Sequence, residues 1–153
     1  MRIEEAVVGG WRAVAKWEES GDARVSVELD RNLGGLWPRA IVFAAAQRSD
    51  RTTVSVEQAG VVEEEFEGTH GFKYQRGIHD YCVGPLLQGA STGIGKAHGV
   101  EIHIESGGVA VDTAELVCRY TAQIAAQLLL GTMTEPRSLE SVLHDAVASW
   151  SES

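Results

Sequence analysis

The sequence predicts a single α+β domain over residues 1–153, an antiparallel sheet of about six to seven strands with one N-terminal helix and two C-terminal helices. Three observations predict it. Apolar residues recur at helical spacing near both ends, the middle alternates with period two between glycine-bearing turns, and no repeat, low-complexity tract or linker divides the chain.

In residues 3–19, Ile3, Val7, Trp11, Val14 and Ala15 share one helical stripe, with Glu4, Glu5, Arg12 and Lys16 largely off it. Gly9 and Gly10 weaken that helix, so Trp11 and Trp17 must hold it by tertiary packing. From Ala23 to Asp30, Val25, Val27 and Leu29 alternate with Arg24, Ser26, Glu28 and Asp30, as in a strand with one solvated face. Asn32–Pro38 is turn material. Residues 39–47 are apolar nearly throughout, a strand covered on both faces, and Arg48–Arg51 turns it into a partner at Thr52–Gln58. A second hairpin pairs residues 62–67 with 72–75, and a third joins Val100–Glu105 to Val109–Val111 through Ser106-Gly107-Gly108.

Asp112-Thr113-Ala114-Glu115 has the form of a capping box, opening a helix from Thr113 to Leu130 that Gly131 stops. Its stripe is Leu116, Val117, Tyr120, Ile124, Leu128 and Leu129. Leu139, Val142, Leu143, Ala146, Val147 and Trp150 define the final helix.

Composition narrows the function. Apolar residues make up 44% and charged residues 23%, which is globular rather than disordered. The net charge is −9 and the Lys and Arg residues are scattered singly, so the clustered cations that bind a nucleic-acid backbone are missing. The longest apolar run, Ala40–Ala46, is far short of the ~20 residues a membrane-spanning helix needs. The acidic start Met1-Arg2-Ile3-Glu4-Glu5 is unlike a signal peptide, which suggests the cytoplasm. Cys82 and Cys118 form no C-x-x-C pair and read as reduced thiols, with Cys118 a packing residue beside Ala122 and Ala125.

Chemistry-bearing residues concentrate in Gly60–Gly99. His79, Asp80 and Cys82 place a base, an acid and a thiol within four positions, the types that nucleophilic catalysis combines. On a strand, however, neighbours point to opposite faces, so His79 and Asp80 would not both reach Cys82. His98 and His103 are the weak candidates for metal ligands, at a spacing that fits neither a helix face nor a fingered loop. Glu63, Glu64, Glu65 and Glu67 read as a solvated strand face. The string Gly89-Ala90-Ser91-Thr92-Gly93-Ile94-Gly95-Lys96-Ala97 resembles the cofactor-binding turn of short-chain dehydrogenases, whose glycines open a helix that holds pyrophosphate. Only four residues separate this string from the strand at Val100, the family's Tyr-x-x-x-Lys pair is absent, and Ala97 stands where a phosphate loop needs Ser or Thr. The segment therefore reads as a mobile loop that holds no cofactor.

Two functions follow from different classes. The first is a non-catalytic protein-interaction or assembly subunit acting as a homo-oligomer, an adaptor or chaperone-like protein or a structural component of a particle. In layout the chain is similar to small secretion chaperones and to ring-forming subunits of phage-like particles. Its interface would lie on the last helix, at Leu139, Leu143 and Trp150, because three amphipathic helices compete for one sheet face. The alternative is a small enzyme or ligand binder using the Gly60–Gly99 loop with His79, Asp80 and Cys82.

Overall fold

The computed structural model describes residues 2–18, 23–31, 38–57, 60–110 and 113–151. Most of the Asn32–Pro38 turn, together with Gln58, Val111 and Asp112, lies outside them.

The N-terminal segment is not a helix. It is a hairpin of β1 (Arg2–Val8) and β2 (Trp11–Glu18), turned at Gly9 and Gly10, whose φ angles of 59° and 84° are both positive. Two consecutive positive-φ residues are what a two-residue hairpin turn demands, and glycine supplies them without strain. Positions 3, 7 and 11 fit a helical stripe and also share the parity of a strand, so the pattern alone was ambiguous. The register pairs Ile3 with Lys16 and Val7 with Arg12, so the supposed stripe splits between the two faces of the sheet. Trp11, Ala13, Ala15 and Trp17 are buried on one face.

The remaining strands are β3 (Ala23–Arg31), β4 (Arg39–Arg48), β5 (Thr53–Val56), β6 (Val61–Glu67), β7 (Lys73–Gly77) and β8 (Val100–Val109). They make one eight-stranded sheet in the order β1-β2-β3-β4-β8-β7-β6, with β5 beside β8. Every pairing is antiparallel except that of β5 with β8. Two expected hairpins are corrected here. β5 does not return along β4, because β8 occupies that edge. Nor is β8 broken at Gly107-Gly108; it continues straight through them. Side chains there would collide with packed neighbours, since a Cβ on Gly108 would lie 2.6 Å from Ile41 and 2.7 Å from Tyr74. β8 is consequently the hub, flanked by β4 on one side and by β5 and then β7 on the other.

Helices α1 (Asp80–Ile94), α2 (Glu115–Met133) and α3 (Leu139–Ser151) cover one face of the sheet. α2 lies on β3 and β4, α3 on β1 and β2, and α1 on α2 and β5. The core between them includes Val27, Leu29, Ile104, Ile124, Leu129, Leu139 and Leu143, none more than 1% exposed. Each such aliphatic side chain contributes about 1.5–3 kcal/mol by leaving water. α2 starts two residues later than its sequence suggests, with Ala114 at the N-cap, while the Thr113 hydroxyl accepts from the Ala110 amide. Leu116, placed on the apolar stripe by spacing, is 47% exposed.

The opposite face carries Arg12, Arg24, Ser26, Glu28 and Asp30. At one end the β6–β7 hairpin curls over it, stacking Phe66 on Tyr74 at 5.7 Å and tilting Phe66 against Phe43 at 5.9 Å.

Candidate functional site

The predicted loop before β8 is mostly the helix α1, and this rearranges every candidate residue on it. His79 is its N-cap and Asp80 its first residue, both exposed, whereas Cys82 one turn in is 3% exposed. The Cys82 amide donates to the His79 carbonyl at 2.9 Å, but the thiol turns inward. The imagined acid–base–thiol set is thereby corrected: the partner of Cys82 is Cys118, from the first turn of α2. The Cys118 thiol donates to the Cys82 sulfur across 2.9 Å, and Cys118 itself is 4% exposed. Both are free thiols.

This contact makes the two sulfurs unequal. The hydrogen bond received from Cys118 lowers the pKa of Cys82, against burial and the nearby Glu115 carboxylate. Donating that same bond raises the pKa of Cys118 far above the ordinary thiol range, with burial adding to it. Beside the pair lies a cavity of about 10 Å³, lined among others by Ile41, His79, Gly107, Gly108 and Thr113. Tyr81, 40% exposed, bridges the helix starts by donating its hydroxyl to the Thr113 carbonyl at 3.1 Å.

The two metal candidates do not share a site with each other. His98 is exposed in the turn before β8. His103 faces the open side of the sheet, where Ser55 Oγ sits 2.7 Å from Nδ1 and Glu57 is 3.7 Å from Nε2. Among the described residues no three His, Cys, Asp or Glu side chains converge on a point.

The open sheet face holds a groove of about 260 Å³ floored by Val14, Ile41, Phe43 and Phe66, and a neighbouring one of about 190 Å³ reaching Arg24 and Glu105. Its charges are largely engaged with one another. Arg12 donates twice to Asp30 at 3.1 Å, Arg24 twice to Glu105 at 2.9 and 2.7 Å, and Tyr74 once to the buried Glu28 at 2.7 Å. Locked pairs of this kind do not present a nucleophile beside a base.

At the margin of this face runs β1, and no described strand pairs with its outer edge. Its seven residues keep unbroken register with β2 and include no proline. Glu4 accepts from the Leu139 amide on the helix side, which leaves Ile3, Glu5 and Val7 on the open face, with Ile3 57% and Val7 66% exposed. The apolar stripe of α3, where an interface was expected, finds cover within the chain. Leu139 and Leu143 are fully covered by their own chain, and Trp150 stacks on Tyr120 at 3.8 Å.

No known protein-family model matches the chain, and no curated protein matches it. Any functional reading therefore stands on the geometry just described. Sequence reasoning missed Ile3 and Val7 as surface residues, though the Gly9-Gly10 turn was the signal that would have split the stripe. The meeting of Cys82 with Cys118 has no comparable local signal, because it depends on how α1 packs against α2.

Proposed function

We propose that this protein is a non-catalytic assembly subunit that pairs with a second copy of itself along β1. The observation that carries the reading is an edge with which no described strand pairs, a regular seven-residue strand with two large, mostly exposed aliphatic side chains. An exposed edge strand is a row of unpaired donors and acceptors that templates further pairing, and proteins usually blunt it with proline, a bulge or a cover. β1 has no proline or bulge and no strand over it among the described residues, and its charges, Arg2, Glu4 and Glu5, lie at its start, away from Val7. A two-fold axis through β1 would extend the sheet antiparallel from one copy into the next, satisfying both rows at once. Burying what remains exposed of Ile3 and Val7, 57% and 66%, would add about 1–2 kcal/mol for each side chain.

The test is native mass by light scattering at micromolar concentration. The wild type should run at twice the chain mass. Ile3→Lys combined with Val7→Lys should run at the single-chain mass with an unchanged circular dichroism spectrum, since both sites face solvent in the monomer. A monomeric wild type, or a double variant that still dimerises, refutes the reading.

A further inference from the structure

Edge pairing makes no use of Cys82 and Cys118, and their setting differs from that of two packing residues. Each sits in the first turn of a helix, on α1 and α2, where unpaired backbone amides favour negative charge. The hydrogen bond between them fixes direction, with Cys118 holding the proton and Cys82 receiving it. An S–S bond is about 2.05 Å long, so bonding asks the sulfurs to approach by roughly 0.9 Å from their 2.9 Å separation.

Access is the second, independent observation. The cavity of about 10 Å³ is lined by both cysteines and by His79, itself exposed at the start of α1. Such a volume is about that of a single water probe. It shuts out a bulky disulfide such as oxidised glutathione, and hydrogen peroxide, with two oxygens, needs it to widen only a little.

We infer that Cys82 and Cys118 form a peroxide-oxidised dithiol, with Cys82 the attacking sulfur and Cys118 the resolving one, closing into a disulfide that ties the start of α1 to the start of α2. The Cys82 thiolate attacks one oxygen of hydrogen peroxide. The O–O bond breaks, hydroxide leaves and takes up a proton as water, and Cys82 becomes a sulfenic acid. The Cys118 sulfur then attacks the Cys82 sulfur. The S–O bond breaks, and the departing hydroxide leaves as water with the proton from Cys118. Two thiols are oxidised by two electrons in all, and one peroxide is reduced to two waters.

Three measurements on the full chain decide it. Wild-type protein treated with equimolar hydrogen peroxide should lose both alkylatable thiols together, with an intact mass lower by two hydrogens that dithiothreitol restores. Cys118→Ser should stop at a sulfenic acid on Cys82 that dimedone traps. Cys82→Ser should react with peroxide at least about tenfold more slowly, because burial disfavours the thiolate of the one thiol that remains. Survival of both wild-type thiols, disulfides between chains instead of within one, or a dimedone adduct on Cys118 alone overturns the assignment. The wild-type mass decides even where a serine variant folds poorly.

Discussion

Glu28 marks how far a strand pattern can be read at a single residue. Its alternation with Val27 and Leu29 correctly turns it away from the helices, and on pattern alone that side is water. In the folded chain it is 4% exposed, because the β6–β7 hairpin curls over it and supplies the Tyr74 hydroxyl and the Thr69 amide, each at 2.7 Å. The curl is tertiary, so no neighbour in sequence announces it. Burial, with the Glu28 carboxylate beside it, raises the Tyr74 pKa well above the ordinary phenol value. The native state therefore holds a proton that the unfolded chain releases near pH 10, and its stability falls as pH rises past that point. Tyr74→Phe removes this dependence. It should also cost about 1–3 kcal/mol at neutral pH, by taking a donor from a buried carboxylate. Denaturant melts of both proteins at pH 7 and above pH 10 check this: the gap between them should narrow in alkali. A gap that stays constant with pH shows that Tyr74 is not the group responsible.

Among the elements, α1 is the helix that the sequence concealed, as β1 and β2 are the strands it disguised. Gly84, Pro85, Gly89 and Gly93 crowd the length of α1, and each argues against a helix on propensity. Pro85 forgoes the bond to the Tyr81 carbonyl. Tertiary packing reverses that argument at two of these glycines. Gly89 and Gly93 lie four apart on the face against α2, where added Cβ atoms would stand 1.9 Å from the Arg119 carbonyl and 2.6 Å from that of Gln123. The string that resembles a dinucleotide-binding turn is thus a helix contact, and its glycines make room for another backbone instead of a phosphate. Gly89→Ala should cost about 3 kcal/mol, at the upper end of overpacking, because the obstacle is main chain and no rotamer relieves it. Gly84 provides the contrast. It is exposed within the same helix and no other element lies near its missing Cβ, so Gly84→Ala should cost far less than Gly89→Ala, the helix preference of alanine being set against the Pro85 ring that follows it. Chemical denaturation distinguishes the two, and equal effects at both positions contradict the packing account.

At the scale of the molecule, the α+β class and six of the strands are legible because period-two alternation and glycine turns are local properties. Sheet order is not. Nothing near Thr53 says that β5 will lie parallel to β8, and nothing near Gly107 says that β8 will serve three neighbours. The same limit governed the last helix, whose stripe is plain in sequence while its cover is not. Three helices do share one face, with α1 in place of the expected N-terminal helix, but turning residues 3–18 into strands widens the sheet beneath them. α3 then finds its cover at home. Trp150 stacks on Tyr120 with 10° between the rings, meets Trp11 edge-on at 5.3 Å, and donates its indole N–H to Gln123 at 3.0 Å. Those contacts join α3, α2 and β2 within one chain, so their loss should appear as instability and not as dissociation. Trp150→Ala removes a large, partly buried ring from a packed aromatic cluster and should cost about 3 kcal/mol, the lower end for such truncations. Thermal melting should shift down in proportion, while the native mass below the melt stays that of the wild type. A variant that changes mass at unchanged melting temperature would instead place Trp150 between subunits and return the interface to α3.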